Sequence, residues 1–152
     1  MRAATERRPA RPRAAVLLAV IAALGLAIAA YLTWTRLAGI APPCLPGEGC
    51  ATVEASPYSA VVGIPVALFG VVYSGAMLVL ALTWWAAVDR RPALLAYGLS
   101  LAGLLVELYL VYLELFVIRA ICTWCVAYGL TVVAGFGLTA WAVSGRGPAS
   151  AR

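Results

Sequence analysis

The stretch AAVLLAVIAALGLAIAAYLTWT, from Ala14 to Thr35, carries no charged side chain over 22 residues. A helix needs about 20 apolar residues to cross the ~30 Å hydrocarbon layer of a bilayer. In lipid the backbone must satisfy its own hydrogen bonds, which leaves helices and closed barrels as the spanning structures. Residues 14–35 are therefore predicted to be a transmembrane helix. Five arginines lie in the first 13 residues, so a cleaved signal peptide is the competing reading. The apolar run exceeds the ~7–15 residues of a signal core, and no convincing small-x-small cleavage site stands before Arg36. A retained helix is expected.

Three similar runs follow. Residues 62–88 are uncharged, with Pro65 near the front, where a helix tolerates it. Residues 93–118 are interrupted only by Glu107 and Glu114. The last run covers residues 120–144. Asp89-Arg90-Arg91-Pro92 reads as one short turn and Arg119 as a second, tighter one. Residues 36–61 form an outer loop that holds Arg36, Glu48, Glu54, four prolines and two cysteines. The fold class is all-α, a polytopic membrane four-helix bundle over residues 14–145. A disordered cytoplasmic tail is expected over 1–13 and a second cytoplasmic tail over 146–152. The sequence contains no internal repeat and no second domain.

Composition agrees. Of 152 residues, 64% are apolar and 11% charged, against roughly 45–50% and about 25% for soluble domains. Histidine is absent, which removes the imidazole general base, most zinc sites and c-type haem attachment. The net charge of +5 does not point to nucleic acid, because the arginines form no patch with aromatic residues. They report orientation instead. With four spans, nine arginines fall on the side of the termini and the 89–92 turn, and Arg36 and Arg119 on the other. The richer side is expected to be cytoplasmic, which puts the 36–61 loop and the Arg119 turn outside. The expected location is the bacterial cytoplasmic (inner) membrane.

The cysteines fall in two pairs. Cys44 and Cys50 bracket Leu-Pro-Gly-Glu-Gly in the outer loop, and Cys122 and Cys125 form Cys-Thr-Trp-Cys at the start of the fourth helix. All four face the side where disulfides persist in bacteria. A thiol at a helix N-terminus meets free N–H groups and the positive end of the helix dipole, and both favour thiolate. Cys122 is expected at the water boundary, with Cys125 one turn deeper beside a lipid-soluble partner. Pro46, Gly47 and Gly49 should leave the loop pair mobile enough for successive thiol–disulfide exchanges. Two alternatives stay open: inert disulfides stapling the outer face of a non-catalytic protein that binds a partner subunit, or a four-thiolate zinc site. No metal is expected, since the deeper cysteine sits among apolar residues.

The order of these features resembles the bacterial form of the vitamin K epoxide reductase family. Carrying the likeness are the first helix, the spaced pair Cys44/Cys50, Ser56 six residues later, the segment Gly63-Ile-Pro-Val-Ala-Leu-Phe-Gly70, and Phe116-Val-Ile-Arg-Ala-Ile-Cys-Thr-Trp-Cys125. It extends over about residues 14–143. In the disulfide-bond formation protein B family, by contrast, the Cys-x-x-Cys lies in the first outer loop. The resemblance implies a thiol:quinone oxidoreductase whose outer loop caps a quinone site. A separate thioredoxin-fold oxidase outside the membrane would deliver electrons to Cys44. Cys50 would exchange with Cys122, and Cys125 would stand beside the quinone, either menaquinone or ubiquinone. Ser56 matches a family position near the redox centre, Tyr58, Phe69 and Tyr73 fall where the family lines its quinone pocket, and Tyr128 is a further quinone-binding candidate.

The alternative for Ser56 is an N-cap ahead of Pro57, and for the aromatics ordinary packing or interface belts. Two positions depart from the animal members. Val66 stands where they carry a substrate-binding asparagine. Gly129 stands where they carry a tyrosine, with Tyr128 one residue earlier. One residue turns a side chain by about 100° on a helix, which would aim Tyr128 away from the pocket. Both departures disfavour epoxide reduction and leave quinone reduction. Glu107 and Glu114 share a helix face. Glu107 is a candidate proton carrier for quinone reduction. The plainer expectation is a protonated Glu107 bonded to a neighbouring helix, with Glu114 at the outer interface.

Overall fold

The computed structural model describes residues 10–45, 49–86 and 90–144. Four helices are long and apolar enough to cross a membrane, with spans Arg13–Ala38, Val66–Ala86, Arg91–Ile118 and Thr123–Val143. Helix α1 runs Ala10–Ala38, α3 Val66–Ala86, α4 Arg91–Tyr112 and α5 Thr123–Val143, with a short α2 at Cys50–Ala55. Most of each span faces outward: Leu17, Val20, Leu24, Trp85, Leu105, Leu108 and Leu130 are all exposed. In water that arrangement would be untenable. In lipid it costs nothing, because the surroundings are as apolar as the side chains. The protein is an all-α, multi-pass membrane bundle.

The helices form a ring in which α1 lies against α3 and α5, and α4 against α3 and α5. One end of the ring is closed by small residues. Ala14, Ala15, Leu18 and Ala22 of α1 meet Met77, Ala81 and Trp84 of α3 and Ala93 and Ala96 of α4. Small side chains let helix backbones approach, and dispersion then holds them where no hydrophobic drive exists. A buried hydrogen bond of 2.8 Å between the Ser100 and Thr139 hydroxyls joins α4 to α5 at the same end.

Towards the other end the helices interlock through glycines. Tyr128 of α5 seats on Gly70 of α3, where an added Cβ would come within 3.2 Å of its ring tip. Tyr73 of α3 seats on Gly103 of α4, where a Cβ would lie 2.7 Å from the phenol oxygen. Glu107 of α4 seats on Gly129 of α5. Each of the three helices gives one bulky polar side chain and receives another.

Several boundaries differ from the sequence-based expectation. Helix α1 starts at Ala10, so the last residues of the expected 1–13 tail are helical, while residues 1–9 and 145–152 lie outside the described residues. The second span does not begin at 62. Ala60–Val61 pairs antiparallel with Ile64–Pro65, and the turn between them holds Val62 and Gly63 at positive φ. A helix cannot pass through that conformation. Pro65 thus ends the hairpin, and α3 begins at Val66. The loop over 36–61 also contains α2 and a 3₁₀ turn at Pro57–Ser59. The last turns of the third span, Leu113–Ile118, widen to π geometry and stop at Arg119, which adopts φ 55°. Both the Arg119 and Ala120 N–H groups return to the Glu114 carbonyl.

Candidate functional site at the outer end of the bundle

Opposite the small-residue core, the C-terminal ends of α1 and α4 and the N-terminal ends of α3 and α5 splay around a cavity of about 340 Å³. The wall is mostly apolar. Its polar groups come from every element around it: Arg36, Glu54, Ser56, Tyr73, Glu107, Glu114 and Tyr128, together with Cys50, Cys122 and Cys125.

Cys44 and Cys50 are joined in a disulfide, with Cα atoms 6.2 Å apart, while Cys122 and Cys125 are free thiols. The loop pair is docked onto the head of α5 at two points. The Gly49 N–H donates to the Ile121 carbonyl at 2.9 Å. The Trp124 indole N–H donates to the Pro43 carbonyl, also at 2.9 Å. Trp124 in turn packs on Tyr31 of α1, with ring centroids 4.8 Å apart. The first clamp requires a glycine, because a Cβ at 49 would collide with Ala120. In this oxidised state the loop pair is held at Pro43 and Gly49; Pro46 and Gly47, on which its expected mobility rests, lie outside the described residues. Cys50 and Cys122 flank the Gly49–Ile121 bond, each one residue from it.

Cys122 stands at the head of the fourth span but is shielded from water. It is 3% exposed, covered by the docked loop, and forms the N-cap of α5. Its sulfur accepts the Cys125 N–H at 3.3 Å. The Cys125 thiol, bonded to Cys122, lowers the Cys122 thiol pKa below the ordinary value, and the Cys125 and Trp124 N–H groups add to the effect against opposition from burial and Glu114. Here the helix-terminus argument has its atoms: N–H groups of the first turn point at a sulfur. Between the two cysteines, the Thr123 hydroxyl is buried without a hydrogen-bond partner among the described residues. On α2, burial raises the Glu54 carboxyl, with Arg36 pulling it the other way.

Of the pocket residues expected from the sequence, Ser56, Tyr58, Phe69, Tyr73 and Tyr128 all line this cavity. Tyr58 and Phe69 are also substantially exposed on their far sides. Ser56 does precede Pro57 at the start of the 3₁₀ turn, but makes no side-chain cap. Its hydroxyl donates backwards to the Val53 carbonyl at 2.7 Å, so in this arrangement its proton is already used. Tyr128 does not point away. It is three residues after Cys125, on the same face of α5, and its hydroxyl donates to the Gly70 carbonyl at 3.2 Å. The Ser74 hydroxyl lies 3.3 Å from the same oxygen.

Glu107 is buried, and its carboxyl is placed by packing against Gly129 rather than by a helix-to-helix hydrogen bond among the described residues. It forms a polar cluster with Tyr73 and Tyr128. Glu114 faces inward to the cysteines rather than resting at the interface. Its Oε2 accepts a long hydrogen bond of 3.5 Å from the Cys122 N–H, and it lines the same cavity as Cys125. Sequence reasoning also missed Trp124 and Arg36. The signals were there: an indole inside a Cys-x-x-Cys, and one arginine at the end of an otherwise uncharged span. Among the described residues, no group of three His, Cys, Asp or Glu side chains is arranged to hold a metal.

Four apolar helices, a disulfide in a docked loop and a free dithiol at the head of a helix, meeting at one apolar cavity, define a multi-pass membrane oxidoreductase that works through cysteines. The family model of the vitamin K epoxide reductase family matches residues 16–140, most of the chain. The protein belongs to that family, whose redox partner is a quinone.

Proposed function

We propose that the protein is a thiol:quinone oxidoreductase that reoxidises a separate thioredoxin-fold, disulfide-forming protein. The observation that carries this reading is the convergence of Cys50, Cys122 and Cys125 on one cavity. Its volume lies in the range of small-molecule sites, about 300–1,000 Å³, and a mostly apolar wall with a few polar groups suits a quinone ring. Reduced partner thiols exchange with Cys44, the more accessible loop cysteine. Cys50 then exchanges with Cys122, which the clamp at Gly49 keeps adjacent. Cys125 faces the quinone, which accepts two electrons and leaves as quinol. Ser56, Tyr58, Phe69, Tyr73 and Tyr128 contribute to holding the ring.

The arginine distribution supports an orientation with both termini in the cytoplasm and the cysteines on the outer side of the inner membrane. Val66 and Gly129, where animal members carry an asparagine and a tyrosine, favour quinone over epoxide as the substrate. The test is anaerobic quinone reduction by the purified protein with a reduced periplasmic thioredoxin-fold oxidase as donor. Wild type should turn over and Cys125→Ala should not. No turnover with ubiquinone or menaquinone analogues, with the cysteines locked in disulfides, would establish a structural role for them.

A further inference from the structure

Glu114 is the acidic group nearest the free dithiol, and the relay leaves it without a task. Its backbone is fixed by the two N–H groups that return to its carbonyl. Its side chain accepts the Cys122 N–H at 3.5 Å and lines the cavity together with Cys122 and Cys125. The π geometry of Leu113–Ile118 sits at this point, and such widened turns recur at functional sites. From other elements, Glu54 of α2 and Arg36 of α1 line the same cavity, as does Tyr58 of the 3₁₀ turn. Glu107 lies seven residues earlier on the same helix face, about 10 Å inward at 1.5 Å per residue. There it is grouped with Tyr73 of α3 and Tyr128 of α5.

We infer that Glu114 is the catalytic base of the Cys122–Cys125 dithiol, taking the proton that a thiol must lose when the pair is oxidised. The inference rests on the thiol:quinone reading above. In the balanced reaction, the Cys122 and Cys125 thiols lose two electrons and two protons and form one S–S bond. The quinone gains both electrons and both protons and becomes quinol. Glu114 holds one thiol proton on its way to a quinol oxygen and ends the cycle as a carboxylate. Geometry supports the assignment, since a general base must lie within hydrogen-bonding reach of the proton it takes. Glu114, held at the Cys122 N–H and lining the cavity together with both thiols, is placed for that role, whereas Glu107 is two turns away.

The test compares wild type, Glu114→Gln, Glu114→Asp and Cys125→Ala as full-length protein in detergent. Dithiothreitol serves as donor and a short-chain benzoquinone as acceptor, with the protein-free rate subtracted as background. General acid–base groups contribute about 10²–10⁴-fold, so Glu114→Gln should lose about 100-fold at neutral pH and recover as pH rises. Glu114→Asp should retain an intermediate rate. A second readout needs no quinone: the pH dependence of Cys122 alkylation in reduced protein with Cys44 and Cys50 replaced by serine. Removing the neighbouring negative charge should move that midpoint down in Glu114→Gln, so the thiol becomes easier to ionise while turnover falls. An unchanged rate and pH profile in Glu114→Gln, with Cys125→Ala inactive, would overturn the inference and leave the relay standing. Lost turnover with the Cys122 midpoint unmoved would mean a structural role, which also overturns it. Full activity in Cys125→Ala would remove the relay itself.

Discussion

The Glu107 carboxyl of α4 rests on the Gly129 backbone of α5, so that a β-carbon at 129 would lie 3.0 Å from Glu107 Cδ. The two positions are therefore one packing unit. Gly129→Ala alone should destabilise the bundle by roughly 1–3 kcal/mol, the usual cost of overpacking. Combined with Glu107→Ala it should cost much less than the sum. Denaturant unfolding in detergent reads this as a coupling energy, and additivity within about 0.5 kcal/mol would show that the two side chains do not compete for space.

The Trp124–Pro43 clamp holds the loop disulfide against α5. Trp124→Phe keeps an aromatic ring to pack on Tyr31 but removes the N–H donor. A lost hydrogen bond of about 1 kcal/mol corresponds to roughly fivefold, so the Cys44–Cys50 disulfide should be reduced by dithiothreitol about that much faster. Stopped-flow reduction of the two proteins decides it, and equal rates would mean the indole bond does not restrain the loop.

The Cys122 thiol is held below its ordinary pKa chiefly by the Cys125 thiol. With Cys44 and Cys50 replaced by serine, alkylation of Cys122 should begin at lower pH than for a free cysteine. In Cys125→Ala the midpoint should move up, because the thiol that donates to the Cys122 thiolate is gone. A midpoint that stays put in Cys125→Ala would transfer the effect to the helix N–H groups alone.

Thr123 carries a buried hydroxyl with no partner among the described residues. Thr123→Val replaces it with a methyl of nearly the same shape. An unpaired buried polar group costs about 1–3 kcal/mol, so thermal stability should hold or rise. A clear loss of stability in Thr123→Val would reveal a bond made by that hydroxyl.

The four spans and the two cysteine pairs were legible in the sequence because both are one-dimensional signals, namely an uncharged run and a spacing. What hydropathy could not report is where the backbone hydrogen bonds go. It placed residues 62–65 inside the helix they precede, and it left Ala10–Arg13 outside a helix that continues past the hydrocarbon. The site was legible in its parts and less so in its geometry. Tyr128 was measured against an expected tyrosine at 129 and judged to turn away. Measured from Cys125 it is one turn along the same face, which is where it lies. Glu114 looked like an interface residue because its depth is that of an interface. The docked loop and the head of α5 enclose that depth in protein.

The two clamps on the 43–50 segment also bear on kinetics. If Cys50 and Cys122 exchange electrons, they do so as parts of one body, at an effective molarity set by the clamps and not by diffusion. Diluting the protein or thickening the solvent would then slow only the encounter with the thiol donor and the exchange of quinone for quinol. The transfer between loop and helix would keep its own rate at any concentration, and a burst in single-turnover traces would separate it from the steps on either side.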